Sequence, residues 1–234
     1  MNNTLSKIIS RGYWKVIMHS SEFKEDRIGN LLECQSLIED CQVSLRGWDY
    51  PHFDRVFSGQ DYIWSETDWE IYKEYWRFYR SGQFVHYFGC VEDWWKGSKL
   101  DAELGARYRP GEVLELIMVL YHMTEIYEFA SRLAQKGVFD GQMSLTIELR
   151  GMRGRRLIGL SKPVFSAFGP YISQEEASKF EATLVVQDLI ARAAEHALEE
   201  TLRVFELFNW REARLPENVS NLRDDQRKLL ERRL

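Results

Sequence analysis

At 234 residues the chain is long enough to bury a sizeable core, as one large domain or as two small interlocked halves, 1–100 and 101–210. Apolar residues at 44% and charged residues at 29% set disorder aside, and a net charge of −5 argues against a whole-surface nucleic-acid binder. Cys34, Cys41 and Cys90 are odd in number and lack CxxC spacing, so neither a disulfide framework nor a zinc knuckle is signalled.

Residues 11–19 (RGYWKVIMH) read as a buried strand. Ile28, Leu31, Leu32, Leu37, Ile38 and Cys41 then recur at helical spacing, which predicts an amphipathic helix over 27–41. A short strand at 43–48 runs into a loop over 49–60 that carries Pro51 and Gly59. In 69–80, Trp69, Tyr72, Trp76 and Tyr79 share one helical face and Glu70, Lys73, Glu74 and Arg77 the other, which predicts a helix. A strand over 84–91 follows, then a polar loop to Arg109.

Pro110 opens the most hydrophobic helix, 111–135, whose polar stripe is Glu115, His122, Glu125 and Arg132. Residues 143–150 and 155–160 read as a hairpin. Ser173 and Glu176 fit a capping box, and no Gly or Pro interrupts the chain until Pro216, so 174–208 is expected as one helix of roughly 50 Å. The charged tail 211–234 is expected to be helical, docked weakly or on a neighbouring subunit. The fold class is therefore α+β, a mixed sheet covered by amphipathic helices with a long C-terminal helix. No signal peptide is apparent at 1–10, and the apolar stretch 113–134 is broken by charge. A cytoplasmic protein that does not engage a membrane is the expectation.

The stretch from Val43 to Asp54 concentrates chemistry. Arg46 can fork onto a carboxylate or phosphate, while Asp49, His52 and Asp54 can exchange protons or hold a metal. Arg46, Trp48, Asp49, Tyr50, His52 and Asp54 are the candidate ligand-binding residues; the structural alternative is that they brace a turn. Arg150, Arg153, Arg155 and Arg156 are candidates for anion binding. His122-x-x-Glu125 and His196-x-x-Glu199 repeat a spacing used in bundle metal sites, without the further glutamates such a site needs. The best-known catalytic signatures are missing, and no motif calls for a cofactor.

The segments RGYWKV, VSLRGWDYPHFD and YWRFYRSGQFVHYFGCVEDWW resemble a family of uncharacterised bacterial proteins, some found beside Schlafen-type AlbA-like DNA-binding domains. The resemblance implies a prokaryotic accessory or regulatory module and no catalytic residues. The expected function is non-catalytic binding of a ligand or partner, with self-association as a homodimer through the last helices. The alternatives are a metal-dependent, nuclease-like enzyme using Asp49, His52, Asp54 and Glu148, and a nucleic-acid-binding accessory factor acting through Arg150–Arg156.

Overall fold

The computed structural model describes residues 3–98, 101, 105, 107–160 and 170–233. Part of the polar stretch expected before Arg109 lies outside them.

A short helix, α1 (Asn3–Ile9), precedes β1 (Tyr13–Ser20), whose burial alternates and turns Trp14, Val16 and Met18 inward. Helix α2 (Leu31–Cys41) starts at Asn30, whose side chain accepts from Glu33 N at 3.0 Å and so caps an otherwise orphan amide. Then come β2 (Val43–Ser44), β3 (Asp49–Tyr50), β4 (Phe57–Ser58), β5 (Tyr62–Trp69), β6 (Tyr72–Tyr79) and β7 (Phe84–Gly89). A 3-10 turn, Val91–Asp93, leads on to β8 (Val113–Glu115) and α3 (Leu116–Gln135). The remainder is β9 (Gln142–Arg150), β10 (Arg156–Ile158), β11 (Ala177–Val185), α4 (Val186–Leu207) and α5 (Pro216–Leu230).

These elements form an α+β fold. Seven strands pair in the order β11-β9-β1-β7-β6-β5-β4, antiparallel throughout, and the only parallel pairing among the described residues is the separate β8–β10 couple. Helix α3 lies against the sheet, its fully buried Met123, Ile126, Phe129 and Leu133 sharing one core with Trp14, Trp76 and Phe84. Helices α4 and α5 pack on α3 in turn. Leu222 and Leu229 of α5 are buried, and Gln226 Nε2 donates to Thr124 Oγ1 at 3.1 Å and to Ala194 O at 2.9 Å. The tail is thus docked on its own chain. No helix among the described residues is long and apolar enough to cross a membrane.

Four expectations are corrected. The helix predicted over 69–80 is instead the tip and second arm of a hairpin, β5–β6, whose strands run in register from Tyr62↔Tyr79 to Trp69↔Tyr72. Both faces of β6 are buried, so Lys73 and Glu74 need no solvent-facing helical side, and aromatic residues suit a pleated surface. The continuous helix predicted over 174–208 is a strand followed by a helix: β11 pairs with β9 along its whole length, and α4 begins only at Val186. The hairpin predicted over 143–160 does not form. Strand β10 instead joins β8, because Arg155 immediately before it is drawn down onto Asp93. The 43–48 segment lies outside the main sheet, in the small β2–β3 pairing that turns at Gly47, where φ is +80°.

Candidate functional site

The Arg46–Asp54 turn is a brace between α3 and the sheet. Arg46 Nε and Nη2 donate to the two carboxylate oxygens of Glu125 on α3 at 2.8 and 2.9 Å. Burial works against the Arg46 charge, and Glu125 beside it more than restores it. The Trp48 indole lies between the rings of His52 and Tyr72, each centroid 3.8 Å away, and donates from Nε1 to Glu74 Oε1 at 2.5 Å. The second oxygen of Glu74 accepts from His52 N at 3.2 Å and meets His86 Nε2 at 3.0 Å. Burial tends to raise the Glu74 carboxyl, but the hydrogen bonds and charge of His86, with those of Trp48 and His52, hold it below the usual carboxylate range.

Asp49 accepts from Ser44 Oγ, and Asp54, 80% exposed at its side chain, lies 3.5 Å from His52 Nε2. The cavity beside Arg46, Trp48, Tyr50 and Glu74 measures about 20 Å³. That is room for a single water and not for a ligand.

A much larger opening, about 650 Å³, lies where α1 hands over to β1 and where β9 ends. The antiparallel register places Tyr13 opposite Arg150, which brings the Arg11-Gly12 and Arg150-Gly151 pairs side by side. Arg155 and Asp93 form the floor, joined Nη1–Oδ1 at 2.7 Å and Nη2–Oδ2 at 2.6 Å, with Gly12 N donating to Asp93 Oδ2 at 2.7 Å. A Cβ on Gly12 would lie 2.0 Å from Arg155 Nη2. One on Gly151, where φ is +72°, would lie 3.0 Å from Gly12 Cα. Both glycines are required by close approach, and Gly151 by its backbone as well.

Two guanidinium groups stand above this floor. Arg150 is about half exposed and donates from Nε and Nη2 to Glu148 Oε2 at 3.0 and 2.7 Å. Arg11 is exposed, lies 4.1 Å over the Trp94 ring and donates from Nη1 to Asp93 O. Glu176 and the half-buried Tyr13 complete the part of the lining that can carry recognition.

Of the four arginines expected to bind anions, Arg150 is in the groove wall and Arg155 in its buried floor. Arg153 and Arg156 are exposed and do not line it. Arg11 was not among the expected residues. Its only signal is the strand pairing of Tyr13 with Arg150, which no local pattern reports.

Behind the floor, Glu92 is buried and accepts from Glu115 N at 2.8 Å; burial pushes its carboxyl up to about 7. Burial also raises Glu115, which accepts from Met118 N at 2.8 Å and Leu160 N at 3.2 Å. Neither stood out in the sequence as a buried group.

The remaining constellations disperse. His122 packs against Trp14 and Phe88 while Glu125 holds Arg46; His196 meets Asp188 at 2.8 Å and Glu199 pairs with Arg214. Glu148 is engaged by Lys15 at 3.0 Å and by Arg150, and among the described residues no three His, Cys, Asp or Glu side chains converge as a metal site would need. The three cysteines are buried free thiols. No family model matches the chain, and neither does any curated protein or solved structure.

Proposed function

We propose that this chain is a non-catalytic binding module that takes an anionic ligand or partner group, a carboxylate or phosphate, into the groove between Arg11 and Arg150. The observation that carries this reading is the contrast in space and donors between the two candidate regions. The opening at Arg11 and Arg150 is about 650 Å³, whereas the turn at Arg46 leaves about 20 Å³. The walls present planar guanidinium groups suited to forked recognition of an oxyanion. The fixed Arg155–Asp93 pair beneath them keeps the floor rigid.

The test is calorimetric titration of the full chain with inorganic phosphate, pyrophosphate and citrate. Binding by at least one of these, weakened about tenfold or more in Arg150→Ala and again in Arg11→Ala, is expected from the loss of a charged hydrogen-bond donor. Heat signals that are absent with all three anions, or unchanged in both variants, would sink the reading. A nucleic-acid ligand would separate itself by a steep loss of affinity with added salt.

A further inference from the structure

Among the described residues, strand β11 is the outermost strand on its side of the seven-stranded sheet, and its nine residues pair on one side only, with β9. The opposite edge of the sheet is the two-residue β4. Among the described residues no backbone hydrogen bond reaches the outer edge of β11. Such an edge presents a row of amides and carbonyls ready to accept another strand. Phe180 and Leu184 turn into the core, with Arg203 over the Phe180 ring, while Lys179, Glu181, Thr183 and Val185 are exposed on the other face.

We propose that β11 is a self-association edge, at which two copies of the chain pair antiparallel about a twofold axis through Phe180 and join their sheets. The occupant follows from the charge order along the strand. With the axis at Phe180, Lys179 stands opposite the partner subunit's Glu181, and symmetry repeats the pair. Moving the axis one residue toward the N-terminus sets Lys179 against its own copy, and one residue the other way sets Glu181 against its own copy. Opposite charges facing across an antiparallel pair stabilise it and like charges destabilise it, so this edge is complementary to itself in one register. Registers between these are forbidden by the pleat, because they would place a core-facing side chain opposite an exposed one.

Within one chain Lys179 Nζ and Glu181 Oε1 approach to 2.6 Å on the exposed face of β11, and pairing about the axis exchanges this contact in each copy for the two facing pairs. Leu222 and Leu229, the apolar anchors of the C-terminal helix, are buried on their own chain.

Sedimentation velocity of the full chain over a wide concentration range tests the proposal with Lys179→Glu, Glu181→Lys and the double exchange. Both positions are exposed, and circular dichroism confirms folding of each variant. The wild type is expected to dimerise reversibly. Each single exchange should raise the dimer dissociation constant about tenfold or more, since two facing pairs are reversed. The double exchange should return it to within about threefold of the wild type, because it rebuilds both pairs with their signs swapped. A wild type that stays monomeric throughout, single exchanges that leave association unchanged, or a double exchange that fails to restore it would each overturn the proposal.

Discussion

Arg46 and Glu125 stand 79 positions apart in the chain and meet as a two-bond fork, with neither side chain more than about a tenth exposed. The strand-end turn and the central helix each supply one half of the pair, which locks the turn over Val43–Asp54 onto α3. A fork this well buried acts as structure and leaves little guanidinium for a ligand.

Replacing Arg46 with Ala should therefore cost about 3–5 kcal/mol in urea unfolding, since Glu125 would be left charged and enclosed without a partner. Arg46→Met combined with Glu125→Leu should cost clearly less than the two single changes added together. A stable, well-folded Arg46→Ala protein would mean that the turn is not held this way.

Glu92 makes stability depend on pH. Its carboxyl is raised from 4.5 to about 7 by burial. Below 4.5 folded and unfolded chains both hold the proton. Between 4.5 and about 7 only the folded chain does, so its stability falls as pH rises through that window. The contribution is on the order of 3 kcal/mol across the window, and the raised Glu115 adds in the same direction. Glu92→Gln should flatten the decline, so that its unfolding midpoint gains on the wild type from pH 5 to pH 7.5. Parallel pH profiles for the two proteins would rule this out.

Gly151 and Gly154 separate backbone strain from crowding. Their φ angles are +72° and +79°, but a Cβ on Gly151 meets Gly12 Cα whereas one on Gly154 meets nothing within 4 Å. Gly154→Ala should cost about 1 kcal/mol from the left-handed backbone alone. Gly151→Ala should cost clearly more, because the added methyl also meets the Gly12 backbone at 3.0 Å. Equal thermal shifts would show that the groove floor is looser than its geometry implies.

Trp48 is held by a stack and by one hydrogen bond. Phe at this position keeps a ring between His52 and Tyr72 but removes the donor to Glu74, a buried carboxylate. The expected loss is about 1–3 kcal/mol, with the near-ultraviolet circular dichroism of the stacked indole removed. An unchanged denaturation curve would assign Glu74 entirely to His86 and His52.

The sequence by itself determined the parts whose pattern is local. The short apolar runs of Tyr13–Ser20 and Phe84–Gly89, the helical spacing in α2 and the apolar run of α3 each follow from residues within a turn or a strand of one another. The α+β class followed from their order. Tertiary structure decided what depends on partners. Trp69, Tyr72, Trp76 and Tyr79 satisfy a helical period, yet residues 72–79 are a strand because β5 and β7 offer pairing on both sides. Residues 177–185 carry no break from the helix after them, and only the ladder with β9 makes them a strand. The groove follows the same logic: Arg11 and Arg150 come together through the β1–β9 register, and Arg155 leaves the surface because Asp93 lies beneath it. Backbone pairing and ion-pair burial join residues far apart in the chain, and a local period is blind to them.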